Sequence, residues 1–436
     1  MNKINKKNSL LYNDDSDFVI IKRLLIAYFF LLLFEGALRK WFLPGLSNGL
    51  LIVRDPIVIL IYYLSINQGV VVLENRYVKF LLNITIITTI ISFLVQAHPF
   101  TIVYGVRTNL LHFPLIFVMG RILSWNDVIM YGKFFLILAL PMTWVVAEQF
   151  QSDRLDAINV AAGGTGHQMM TSGDKVRASG TFTFISGIVF YYCFTIAFII
   201  YGFLQKNIYS KTILYLGTGA TFLAMVTAGS RSVIAESLQV FACLGFLAYF
   251  RPNEFGKITV STFLLTGFAL ILYSQIDLFK DGLNFLSMRF EEAANVEGNP
   301  IEAYLNRYWV IISSPFISID FLSIKGLLGM GIGSGTRAGA ALGRGVGFEL
   351  DWDRHIYESG SIIGLIYIYF RFWLVKDLLY ICISAIKRNS YLSILIWGAA
   401  APVILFGILG QPTNLGFAAF GGGLCLAAAK NMRNNK

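Results

Sequence analysis

An all-α, polytopic integral membrane protein is what this sequence predicts, with about twelve transmembrane helices and one large extracytoplasmic loop carrying amphipathic helices. Three observations predict it. Of the 436 residues, 56% are hydrophobic and 14% charged, whereas soluble domains run at about 45–50% and about 25%; the mean hydropathy is +0.65. Apolar runs near the length of a bilayer crossing recur along the whole chain. The short connections between them are basic at every second position.

The runs fall at 20–38, 50–66, 79–97, 101–120, 127–147, 184–204, 211–228, 232–250, 257–275, 356–375, 390–409 and 413–429. A polar start, MNKINKKNSLLYNDDSDF, puts the first run too late for a cleaved signal peptide, so it reads as a retained span. Only the first run, ending on Glu35 and Arg39, and the fourth, containing Arg107 and His112, are noticeably polar. Cys193, Cys243, Cys382 and Cys425 sit inside apolar runs, too far apart for a zinc site, and read as small hydrophobes. No linker, low-complexity tract or internal repeat divides the chain. It therefore reads as one membrane domain, 1–436, with the loop 276–355 inserted between the ninth and tenth spans.

Orientation follows from the loops. Lys3, Lys6 and Lys7 precede the first span, and Arg76 and Lys79 separate the second from the third. Arg121, then Lys206 and Lys211, then Arg251 and Lys257, then Lys376, Lys387 and Arg388 occupy the later alternate connections; Lys430, Arg433 and Lys436 end the chain. The positive-inside rule places all of these, and both termini, in the cytoplasm. The net charge of +10 is then a topology signal, which removes nucleic acid as a partner. By parity, the tip around Glu35–Asp55, the segment 148–183, the Gly229–Arg231 corner and the loop 276–355 converge on the opposite face.

Arginine recurs on that face: Arg39, Arg54, Arg177, Arg231, Arg289, Arg307, Arg337, Arg344 and Arg354. A guanidinium keeps its charge when desolvated, and its planar fork suits phosphate and carboxylate, so the set points to an anionic substrate. The competing reading for any one of them is pairing with Glu35, Asp55, Glu291, Glu292 or Asp351, or snorkelling to lipid headgroups. Arg231 lies at the mouth of two apolar helices in AMVTAGSRSVIAESL, where an ionisable residue is a functional candidate; Glu236 beyond it reads as structural. Arg307 lies in PIEAYLNRYWVIISSPF, where Ile301, Tyr304, Tyr308 and Ile311 recur at helical spacing, the pattern of an amphipathic helix on the membrane surface.

His355 and Glu358 share a face if helical, an arrangement that suits deprotonating a sugar hydroxyl or binding a phosphate. The competing reading is a structural histidine at a helix start. The Asp-x-Asp of LDWD, Asp351 and Asp353, is weak as a metal signal, and no metal or other cofactor is expected. GMGIGSG (329–335) lacks the Lys-Ser/Thr of a nucleotide loop and reads as a tight turn or a close backbone approach to the membrane.

RASGTFTFISG, TAGSRS, RYW, KGLLGMGIGSG and HIYESGSIIGL, in this order from Arg177 to Leu365, resemble the bacterial O-antigen polymerase and O-antigen ligase superfamily, membrane glycosyltransferases of the C type. Ile356 stands where many relatives carry asparagine, and FEGALRKW and IVRDP are not part of the pattern. The resemblance implies an inner-membrane enzyme that acts on the extracytoplasmic face, without metal, on glycans linked to undecaprenyl diphosphate. It implies Arg231, Arg307 and His355 as catalytic residues. Arg177, Arg289, Arg39, Arg54 and Glu358 are the accompanying substrate-binding candidates, Glu358 orienting His355. Membrane lipid, a flippase and chain-length regulator proteins are the implied partners. A polymerase of lipid-linked repeat units is the expected activity. A ligase transferring the glycan to lipid A core or protein is the alternative; a lipid-glycan transporter comes third, because it calls for repeats, broken helices and charges buried in several spans.

Overall fold

The computed structural model describes residues 18–70, 72–168, 175–336, 339–340 and 345–430, and for 293, 296–297, 300–301, 303–304 and 307 the backbone alone. Lys3, Lys6, Lys7, Arg337, Arg344, Arg433 and Lys436 lie outside the described residues. Among the described residues no strand forms; an isolated bridge joins Val160 and His167. The principal helices are α1 (Val19–Ala37), α2 (Asp55–Asn67), α3 (Arg76–Leu94), α4 (Pro99–Val106), α5 (Leu115–Ile122), α6 (Trp125–Gln151), α7 (Ile185–Leu204) and α8 (Lys211–Thr227). They continue as α9 (Arg231–Phe250), α10 (Phe255–Gln275), α11 (Asp277–Glu297), α12 (Pro300–Ser318), α13 (Ile324–Leu328), α14 (Asp351–Ile386), α15 (Leu392–Phe406) and α16 (Pro412–Lys430).

Every predicted apolar run is helical. Among the described residues, 7 helical stretches are long and apolar enough to cross a membrane, which marks a membrane-embedded protein. Helices α1, α8, α14, α15 and α16 match predicted runs but fall short of that measure. Helix α15 has only 15 residues, and α1 carries Lys22, Arg23 and Glu35. Polar caps set several boundaries: Asn75 accepts from the Tyr77 N–H, and Ser124 forms a capping box with Asp127.

Two predicted runs are not simple helices. The fourth breaks into α4 and α5 around a π-helical turn, Arg107–Leu111, followed by Pro114, whose missing N–H cannot continue the ladder. The tenth starts earlier than its hydropathy indicates, at Asp351, and kinks at Gly360, where φ is 75° and only glycine is at ease. This run also holds Arg371, a buried charge that pairs with Asp351.

The core is one large cluster in which α7, α15 and α16 are central, with two small satellite clusters. Helix α7 has 89% of its apolar window buried against protein, so lipid touches little of it. Small residues make this possible: a Cβ at Gly421 would lie 2.3 Å from the Phe194 ring, so only glycine lets α16 approach α7 this closely.

The loop after α10 contains α11, α12 and α13. Its amphipathic helix is oriented differently from the sequence expectation. Tyr308 accepts a hydrogen bond from Gln239 of α9 and packs edge-on against Phe406, and Ile311 packs with Trp352 and Ile356. That side faces protein, while Trp309, Val310, Phe316 and Ile317 are exposed. The seat for Tyr308 and Ile311 is formed where the start of α14, with Trp352 and Ile356, meets Phe406 at the end of α15. Ile301 and Tyr304 have no described side chains.

Candidate functional site

At the loop end of the bundle, two buried ion-pair networks meet. One begins at the junction of α1 and α2. Glu35 accepts from Arg54 Nε at 3.2 Å and pairs with Arg39 Nη1 at 3.5 Å. Arg39 Nε also donates to the Ser47 carbonyl at 2.9 Å, and Arg54 Nη2 to the Pro412 carbonyl at 2.6 Å. Asp55 binds Arg107 through both oxygens and lies 3.0 Å from His112 Nε2; His112 Nδ1 is 3.0 Å from the Tyr28 hydroxyl. The π turn at Arg107 is what aims this arginine at Asp55 while its neighbour Asn109 reaches the second network.

That second network is built on the first turns of α14. Asp351 accepts from Arg354 Nε at 2.8 Å, from Arg371, and from the Gly410 N–H at 3.3 Å. Arg354 Nη1 donates to Glu358 Oε2 at 2.9 Å, and Nη2 to Asn109 Oδ1 at 3.2 Å. Burial works against the Asp351 carboxylate, but the Arg354 and Arg371 guanidiniums hold it well below the usual range. Burial likewise opposes the Arg354 charge, and Asp351 and Glu358 more than offset it, raising its pKa.

His355 sits inside this knot, stacked on Tyr367 with ring centroids 4.7 Å apart. Its Nε2 lies 3.5 Å from Asp351 and 3.3 Å from Arg354 Nη2. Among the described residues its Nδ1 has no hydrogen-bond partner. Burial, then the Arg354 charge, push its pKa down to about 3, so the imidazole is neutral. The expected His355–Glu358 pair is not what the structure holds: Glu358 accepts from Arg354 and from the Gly335 N–H at 3.1 Å. An arginine one turn earlier outcompetes a neutral imidazole for the carboxylate.

The glycine run 329–335 makes a close approach, though to protein backbone. A Cβ at Gly333 would meet the Thr101 carbonyl at 2.1 Å, and one at Gly105 would meet the Gly333 nitrogen at 2.5 Å. The run is thereby locked between α4 and α14 and supplies the Gly335 donor to Glu358. Asp351 and Asp353 part company: Asp353 accepts from Ser314 Oγ at 2.9 Å, away from the arginines.

Beside these networks lies a cationic rim. A Cβ at Gly229 would lie 3.0 Å from the Phe285 ring and 3.6 Å from the Val176 carbonyl. This brings together the corner ahead of Arg231, the strand of chain carrying Lys175 and Arg177, and α11. Phe285 meets Phe150 at 5.4 Å, and Lys175 Nζ sits 4.9 Å from the Phe150 ring. Arg289 is one helical turn from Phe285 and reaches Glu292 at 3.5 Å. Arg307 lies on the α12 backbone next to Tyr308, which is seated on Gln239, about 12 Å along α9 from Arg231; its side chain is outside the described part.

So the structure brings the segments that carry Arg177, Arg231 and Arg289 together around the Gly229–Phe285 contact, and it pairs Arg39, Arg54, His355 and Glu358 within the buried networks. Sequence reasoning missed Lys175, the Asp351–Arg371 pair, and Lys40. Lys40 Nζ is buried and donates to Ser179 Oγ at 3.1 Å and to the carbonyls of Gly180 at 2.5 Å and Phe182 at 2.9 Å. Burial pushes its pKa down to about 7. Glu236, on α9 beyond Arg231, has a buried Oε2 with no hydrogen-bond partner among the described residues. An apolar cavity of about 460 Å³ opens between α2, α3 and α4, lined by Tyr62, Ile66, Leu82, Val103, Leu110 and Arg107 among others. No family model and no curated protein match this chain.

Proposed function

We propose that the chain is an extracytoplasmic-face glycosyltransferase that lengthens a glycan carried on undecaprenyl diphosphate. The observation that carries this reading is the meeting, at the Phe150–Phe285–Gly229 contact, of Lys175 with the segments that carry Arg177, Arg231 and Arg289. In the transfer, the acceptor hydroxyl oxygen bonds to the anomeric carbon while the carbon–oxygen bond to the diphosphate breaks. Undecaprenyl diphosphate leaves with the electron pair. Arg231 and Arg307 neutralise that developing charge, with Arg177 and Arg289 holding the ground-state diphosphate; fixed guanidiniums do this without a metal. Glu236 takes the hydroxyl proton. His355 and Glu358, with Arg39 and Arg54, brace the loops that form the site. The cavity lined by Tyr62 and Leu82 suits a stretch of isoprenoid tail.

A second reading has an observation of its own. The interrupted α4–α5 helix and the buried Asp55–Arg107–His112 cluster favour a transporter of lipid-linked glycan. Electrophoresis of carrier-linked glycans from cells lacking the chain separates the cases. Single repeat units on the carrier at the outer leaflet support the polymerase. Long stranded chains on the carrier point to a ligase instead, and single units confined to the inner leaflet to a transporter.

A further inference from the structure

Helix α12 and the turn after it form an apolar elbow that no other described part of the chain covers. Ile317 is 83% exposed and Leu322 99%, with Phe316, Phe321 and Ile324 exposed beside them. The elbow is not loose. Asp320 Oδ1 accepts from the N–H groups of Leu322 at 2.8 Å and Ser323 at 3.1 Å, and Ser323 Oγ accepts from the Gly326 N–H at 2.9 Å. The Asp320 N–H donates to Ser361 Oγ at 3.0 Å, and that hydroxyl lies 3.0 Å from the Gly326 carbonyl and 3.1 Å from the Asp320 carbonyl. Phe321 and Leu322 are therefore held in place at the tip of a pinned turn.

Ser361 also fixes the level of that tip. It is the first residue after the Gly360 kink, where the long apolar stretch of α14 begins, and Ile362 beside it is exposed on the helix flank. On the other side, a Cβ at Gly331 would lie 2.5 Å from Ala97 and 3.5 Å from Ser92, at the end of α3, where Phe93 and Leu94 are exposed. Exposed apolar side chains thus occur at the end of α3, on the flank of α14 beside the Ser361 anchor, and on the elbow that Ser361 holds. Water is a poor partner for exposed apolar side chains gathered at one end of two apolar helices, whereas the edge of a bilayer solvates them. Lys325, exposed on the same turn, has the stem length to reach phosphate headgroups while its neighbours lie deeper.

We propose that the Phe316–Ile324 elbow is a rigid wedge inserted into the interfacial zone of the lipid leaflet between α3 and α14. Because the turn is ordered by its own hydrogen bonds, insertion immobilises no further backbone. The wedge stands whether or not the chain transfers sugars.

The test uses the full chain in nanodiscs of phosphatidylcholine and phosphatidylglycerol, spin-labelled at Leu322→Cys and, separately, Ile324→Cys. Asn295→Cys on exposed α11 serves as the reference, and the native cysteines are buried. Power saturation with oxygen and with a water-soluble nickel chelate reads the surroundings of each label. The expected result is an oxygen-to-nickel accessibility ratio several-fold higher at 322 and 324 than at 295. A ratio equal to that at 295 would overturn the wedge. Low accessibility to both reagents would overturn it as well, by showing that a second copy of the chain covers the elbow.

Discussion

Asp351 and Arg371 form an ion pair across the Gly360 kink, with side chains 0% and 2% exposed. The pair ties the polar first turns of α14 to its apolar continuation, and Gly410 and Leu405 join it through hydrogen bonds to Asp351 and Arg371. Removing one partner of such a buried pair costs about 3–5 kcal/mol, since the other charge is left without compensation. Asp351→Asn and Arg371→Met should each lower membrane abundance and thermal stability in detergent, measured by size-exclusion after heating. Wild-type stability in both variants would remove this pair from the account of the fold.

Lys40 gives a pH dependence of definite sign. Its folded pKa is about 7, and an unfolded lysine titrates near about 10.4. Between those values the unfolded chain binds a proton that the folded chain lacks, so stability rises with pH across that window and is insensitive to Lys40 below it. Melting curves of purified protein from pH 7 to 10 should show this rise, and Lys40→Met should flatten it.

His355 behaves in the same sense at lower pH. With a folded value of about 3 against about 6.5 unfolded, its contribution to stability is lost as pH falls through that interval. A neutral, buried imidazole also cannot give glycan transfer an inflection near pH 6.5. His355→Gln should leave the shape of the pH–rate profile intact; an inflection that vanishes in the variant would restore the histidine as an acid–base group.

Arg231→Ala and Arg307→Ala should each abolish transfer while leaving abundance near normal, whereas Arg354→Ala and Arg54→Ala should lose abundance first. A donor to a developing oxyanion contributes about 3–4 kcal/mol. Lysine should rescue Arg231 and Arg307 poorly, because a point charge does not reproduce the guanidinium fork. Immunoblots beside carrier-linked glycan gels separate the two groups of variants.

Helix existence was legible in the sequence because hydropathy is a local property: every apolar run became helical, the fourth as two short helices. The breaks were less so. The fourth run carried Arg107 and His112 as a visible warning of α4–α5 irregularity, and Arg371 inside the tenth run was a similar warning passed over. Charge pairing was legible only where partners are near in sequence, as in Arg39–Glu35, Arg289–Glu292 and Arg354–Asp351. Arg107–Asp55 depends on which helices become neighbours, and Arg371–Asp351 on how α14 bends at Gly360; no periodicity records either. The rim at Arg177, Arg231 and Arg289 could be expected only as three residues on one face; its assembly rests on Phe285 fitting over Gly229, a contact between distant segments.

The side of the membrane is open to direct measurement. Asn295→Cys in α11 should react with an impermeant thiol reagent in intact cells, and Lys206→Cys only after permeabilisation. The reverse pattern would place the cationic rim in the cytoplasm and exclude an extracytoplasmic substrate.

Transfer by the isolated protein tests the central proposal most directly. Purified chain in nanodiscs is incubated with an undecaprenyl-diphosphate-linked oligosaccharide of its native repeat, and lipid products are resolved by mass spectrometry. The expected result is undecaprenyl diphosphate released in step with a carrier-linked glycan lengthened by whole repeats, and neither product with Arg231→Ala. Substrate recovered intact, with wild-type protein folded and monodisperse throughout, would contradict the assignment.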